Sequence, residues 1–178
     1  MDWSCLRRIV TDDRNGRSRV LIDGQAAKLV AIDETGLAEI WQAALGKELL
    51  ADKDVLADQN LKLEPPADAL KVRWFTVAPE PPGADRKAME EAAAGAFAAI
   101  GATHARVDTT RHPMMHKTET LDVIVCVKGS VDLLLDDGEA KSLKPGDVVI
   151  QRATNHAWVN RGAETALLVA VLVHASRT

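Results

Sequence analysis

The chain of 178 residues contains no tyrosine, and its aromatic content is 3%: two phenylalanines and four tryptophans. Chemistry that relies on a phenol as proton donor is therefore excluded. With so few rings there is no aromatic platform for nucleobases, and no basic stripe accompanies the net charge of −4, so nucleic acid is excluded as a partner. Two cysteines, Cys5 and Cys126, occur without a C-x-x-C spacing, which argues against a disulfide framework and a thiolate zinc site. Cys126 lies in a β-branched run and reads as a small buried hydrophobe. The longest apolar runs, Ala92–Ala102 and Ala166–Val173, fall short of the ~20 residues that cross a bilayer. The N-terminal "MDWSCLRRIVTDD" lacks the apolar core of a secretory leader. A cytoplasmic protein with no membrane partner is expected.

What is present is mostly strand. "LDVIVCVKG" is β-branched and stops at Gly129, and "SVDLLLDDGEAKSL" carries a hairpin signal at Asp137-Gly138. "KPGD" (144–147) turns, "VVI" and "HAWV" extend, and "TALLVAVLVHA" closes the chain as an apolar strand. Short strands with a turn every 8–12 residues indicate a sandwich or barrel. In the first half, "RSRVLIDGQ" and "KLVAID" read as strands around an Asp23-Gly24 turn, and "LAEIW" and "KVRWFTV" (71–77) as further strands. Arg14, Arg17 and Arg19 surround Asn15-Gly16 and read as a solvated turn. "EPPADA" and "PEPPGAD" are too short to separate domains. "ADRKAMEEAAAGAFAAIGA" is a helix by propensity, stopped at Gly101. The expectation is one structural domain: residues 1–103 supply strands and a helix that pack on the barrel, and residues 104–178 carry its core motifs.

Two strings carry chemistry. In the first, His116, Thr118 and Asp122 share parity, so on one strand they share a face. In the second, His156 and Trp158 share a face. This resembles the two motifs of the cupins. The first motif runs H-x-H, three or four residues, Glu, six residues, Gly; His116, Thr118, Asp122 and Gly129 stand at those positions. The second motif runs from Gly through P-x-G-x-x-H to Asn; Gly146, Gln151, Ala153, His156 and Asn160 stand there, with one residue fewer after Gly146. Thr118 replaces a histidine, Asp122 a glutamate, and Gln151 and Ala153 the proline and glycine. The resemblance spans roughly residues 104–175.

The resemblance implies an all-β fold, a cupin jelly-roll β-barrel with an N-terminal strand extension and one helix. It implies a small-molecule enzyme, an oxidoreductase or isomerase acting on a carbonyl-containing or aromatic metabolite. Some members of the similar branch sit in polyketide pathways and are called oxidoreductases. Two forms of the site follow. In one, His116, Asp122 and His156 form the two-histidine, one-carboxylate triad that holds a divalent metal such as iron, manganese, nickel or zinc. In the other, a histidine paired with Asp122 is a metal-free base. Thr118, Gln151, Trp158, His112 and Met114 are candidate substrate contacts. His112, before Pro113, also reads as a loop-end residue, and Asn160 as the holder of a turn before Gly162. A metal-free binding barrel without catalysis and a purely structural barrel remain as alternatives. A homodimer is expected, because cupins cover edge strands by association.

Overall fold

The computed structural model describes residues 1–46 and 54–175. Eleven strands and one α-helix appear among them. In chain order they are β1 (Arg8–Arg14), β2 (Arg17–Gly24), β3 (Lys28–Ile32), β4 (Thr35–Ala44), β5 (Ala69–Val77), α1 (Arg86–Ala99), β6 (Thr120–Lys128), β7 (Val131–Leu135), β8 (Lys141–Leu143), β9 (Val148–Arg152), β10 (His156–Val159) and β11 (Ala166–His174). The strands form a six-stranded sheet ordered β3-β4-β5-β11-β6-β9, a three-stranded sheet ordered β10-β7-β8, and the separate β1–β2 hairpin. Every ladder is antiparallel.

The two larger sheets face each other across one core. The six-stranded wall contributes Phe75, Ile124, Cys126, Leu168 and Leu172, and the three-stranded wall Val131, Leu133 and Leu143. Burial alternates along β6, with Thr120, Asp122, Ile124 and Cys126 inward, as period-2 geometry requires of a strand with one covered face. The apolar run of β11 sits centrally, flanked by β5 and β6. Gly129 ends β6 at φ +75°. A Cβ there would lie 2.9 Å from the Ala166 Cα, so this tight link to β7 needs glycine.

One expectation is corrected. The strands on either side of Asp23-Gly24 do not pair with each other; β2 pairs with β1 and β3 with β4. Asn15 and Gly16 both take positive φ, the geometry of a tight hairpin turn, and this captures β2 for its predecessor. Arg8 then ties the hairpin to the main body through the Gln25 and Ile40 carbonyls and Asp54. β5 is hydrogen-bonded to β11 along its length, so the boundary at residue 103 cuts through one sheet.

The helix begins where expected. Asp85 caps it by accepting from the Ala88 amide, and Gly101 at φ +63° follows its end. Its buried residues are Ala93 and Phe97, and Phe97 packs with Leu63, Ile100, Ala102 and Ala105.

Candidate functional site

The chain from His112 to Asp122 does not run as one strand. At His116 it makes an isolated antiparallel bridge to His156, with reciprocal N–H···O bonds of 2.9 Å. At Thr120 it joins the six-stranded sheet as β6. Between these points it crosses from one wall to the other, and the parity argument that placed Asp122 with His116 lapses there.

The bridge sets the two imidazoles side by side, with ring centroids 4.3 Å apart. Phe97 from α1 covers His116 at 5.0 Å, and Trp158 stands edge-on to His156 at 5.6 Å. Each Nδ1 lies within hydrogen-bond distance of a backbone carbonyl: His116 to Met114 at 2.9 Å and His156 to Thr154 at 3.0 Å. A carbonyl only accepts, so each Nδ1 carries the hydrogen and each Nε2 keeps its lone pair. Burial lowers the pKa of both rings. His156 is pushed down to about 3, by burial first and by the neighbouring His116 second. Both rings are therefore neutral near pH 7.

Gln151 faces inward from β9 and donates to Thr154, whose carbonyl also takes the His156 proton. Thr154 thus anchors both side chains, a role the sequence reading missed. Arg152 points outward and is exposed. Ala153 sits at φ +48°, the left-handed conformation for which the motif elsewhere uses glycine. A cavity of about 530 Å³ opens between β7 and β9 and reaches Gln151, Thr154, Leu133 and Val149.

The remaining candidates divide. Trp158 is part of the interior and packs at 6.1 Å from Phe75. Thr118 is buried but bonded to the Thr120 hydroxyl at 2.6 Å. Met114 contributes its carbonyl to His116, while its side chain fills the gap between two apolar clusters. His112 is held at the end of its loop by Glu80, 2.7 Å from Nε2, and accepts the Met114 amide at Nδ1. Asn160 holds the Gly162 amide and bonds to the Val77 and Glu164 carbonyls.

Asp122 faces the interior from the other wall, with Arg73 as its nearby charge. Burial raises its carboxyl to about 6, against the pull of the Thr120 hydroxyl and Arg73. Among the described residues no three histidine, cysteine or carboxylate side chains are grouped to hold a metal. The imidazole pair has the tautomer that a metal needs, but the third donor of the expected triad is not beside it. The residues present do not fit that cation. Among the described residues Oδ1 of Asp122 has no hydrogen-bond partner, and neither imidazole is among the groups that act on its carboxyl.

A cluster of charged residues absent from the sequence-derived site lies on the same inner face. Glu39, Lys71 and Arg73 are 1–2% exposed. Arg73 meets Glu39 at 2.8 Å, and Lys71 lies 3.6 Å from Glu39 and donates to the Lys62 carbonyl at 2.8 Å. Burial lowers the Lys71 ammonium to about 8 and raises the Glu39 carboxyl. A signal existed: Lys71 and Arg73 share parity with Phe75.

The architecture is that of a two-sheet antiparallel barrel with a polar, ring-lined interior. No family model matches the chain. Local similarity is found to fungal proteins: 54% identity over 48 residues with Phomopsin biosynthesis cluster protein D of Diaporthe leptostromiformis, and 46% over 46 residues with a cupin-domain-containing oxidoreductase of Neurospora crassa. These matches cover 27% and 26% of this chain, and about a quarter of each relative (25% and 24%). Among solved structures, the polyketide cyclase RemF of Streptomyces resistomycificus aligns at TM-score 0.43 with 16% identity, over 82% of this chain and 69% of that one. A Cupin 2 conserved barrel domain protein of Salinispora arenicola aligns at 0.41 with 14% identity, over 83% and 82%. Over about a quarter of its length the chain is similar to cupin-domain-containing oxidoreductases of fungi.

Proposed function

We propose that the protein is a cupin-type enzyme that moves a proton on a carbonyl-containing or aromatic metabolite, with the His116–His156 pair as its base. The observation that carries this reading is the fixed tautomer of two neutral imidazoles whose Nε2 lone pairs stand free of the carbonyl bonds. A substrate C–H or O–H made acidic by a neighbouring carbonyl gives its proton to one Nε2. The second ring stays neutral, because two adjacent imidazolium charges repel each other in a buried site. Burial depresses the pKa of both rings, and His116 adds to the depression of His156. Trp158 and Phe97 supply apolar faces for a flat substrate. Several relatives bear names tied to biosynthesis clusters or to oxidoreductases, which supports a place in small-molecule metabolism. The working species is proposed to be a homodimer and its compartment the cytoplasm.

Deuterium exchange into acetylacetone or hydroxyacetone, followed by NMR in D₂O, tests this. The protein should accelerate exchange, and His116→Gln should slow it about a hundredfold, the lower range for a general base. Saturable binding without exchange would identify a binding barrel instead. Elemental analysis of untagged protein tests the competing chemistry: one equivalent of metal, lost in both His116→Ala and His156→Ala, would overturn the metal-free base.

A further inference from the structure

The six-stranded wall carries hydrogen-bonding groups that its own neighbours do not satisfy. Arg73 uses one nitrogen, Nη2, for both Glu39 and the Lys62 carbonyl. Its Nε and Nη1 are buried with no partner among the described residues, as are Oδ1 of Asp122 and Oε2 of Glu39. Buried polar groups in native proteins are nearly always paired, and a guanidinium offers five N–H donors in a fixed fork suited to a carboxylate.

Register places these groups together. Arg73 on β5 is opposite Ala170 of β11, and Asp122 on β6 is opposite Leu172 of the same strand. The two side chains thus flank β11 on the inner face, and the residue beside Arg73 is only a methyl group. They are close enough for each charge to act on the other. Across the interior stands the wall that carries His156 and Trp158. The Lys71 ammonium, by contrast, has its own partners in the Lys62 and Glu64 carbonyls and Glu39, so it is not the free donor.

We propose that Arg73 and Asp122 form the polar anchor for a small organic acid or enolate. Its anionic oxygen accepts from Nε and Nη1 of Arg73, and an adjacent hydroxyl or N–H donates to Asp122. This rests on the reading of the interior as a small-molecule site and narrows it: the substrate carries a carboxylate or enolate beside a donor, and its reactive part extends toward the imidazole pair.

Calorimetric titration with salicylate and with lactate, each a carboxylate next to a hydroxyl, tests the assignment against the neutral methyl salicylate and ethyl lactate. At least one acid should bind saturably and its ester should not. Arg73→Met should weaken binding by about tenfold or more. In the unaltered protein the Arg73 side-chain Nε–H resonance should shift on adding the acid, which settles the question even where Arg73→Met does not fold. Binding of the acid should persist within a few-fold in the His116→Gln/His156→Gln double variant. That result separates this anchor from the proton-transfer reading, which the same variant abolishes. Failure of both acids to bind, equal affinity for the esters, unchanged affinity in a folded Arg73→Met, or an unmoved Arg73 resonance would each overturn the proposal.

Discussion

At the scale of single residues, the imidazole pair links folding to acidity. The folded pKa of His156, about 3, lies below its ordinary 6.5. Between those values the unfolded chain binds a proton that the folded chain refuses, so stability rises with pH across this window. The contribution is complete above about 6.5 and is lost toward 3, at about 1.4 kcal/mol per pH unit where the unfolded imidazole is fully protonated. His116 has the same sign. Asp122 has the opposite sign. Its carboxyl, raised to about 6, makes the folded chain hold the extra proton between about 4 and 6. Urea unfolding between pH 7 and 4 should therefore show a shallower acid loss in His156→Gln and a steeper one in Asp122→Asn. The same scale shows what sequence could and could not disclose. The positions of His116 and His156 were legible from their motif, whereas the direction of Gln151 was not. The separation of Asp122 was not, because local alternation cannot reveal where a chain leaves one sheet for another. Ala153 was read as a departure from glycine, yet the backbone keeps the glycine-like conformation around an alanine methyl.

At the scale of elements, α1 is the cover of the site. It was readable as a helix by propensity, and its end from Gly101. Sequence could not reveal that Phe97 lies on His116, because that contact depends on how the helix docks and not on its own periodicity. Removing the ring tests the cover. Phe97→Ala should cost about 3–5 kcal/mol, as for other buried aromatic truncations. It should also raise the His116 pKa toward its ordinary value by admitting water, which an NMR titration of the ring would register. An unchanged His116 pKa in a folded variant would show that the helix does not protect the imidazole. The strands tell a similar story. The apolar run of β11 gave its central position away, whereas the inward Glu39, Lys71 and Arg73 looked like ordinary surface charge until β4 and β5 were placed in a covered sheet.

At the scale of the whole molecule, the outer face of the large sheet stands out. Leu121 and Val127 of β6 and Val148 and Ile150 of the edge strand β9 are 39–56% exposed. Val123 and Val125 are aligned with Ile150 and Val148 and continue the strip. An apolar patch at a sheet edge favours association, in keeping with the proposed homodimer. Light scattering should give a dimer mass for the unaltered chain and a monomer mass for Val148→Lys/Ile150→Lys, with the fold retained by circular dichroism. A monomer at all concentrations in the unaltered protein would refute it.

The crossing between His116 and Thr120 has a mechanical corollary. The imidazole pair and the proposed Arg73–Asp122 anchor ride on opposite plates of the shell, so a guest gripping both would clamp the plates against breathing. Amide hydrogens at the His116–His156 bridge should then exchange with solvent more slowly in the loaded protein than in the empty one.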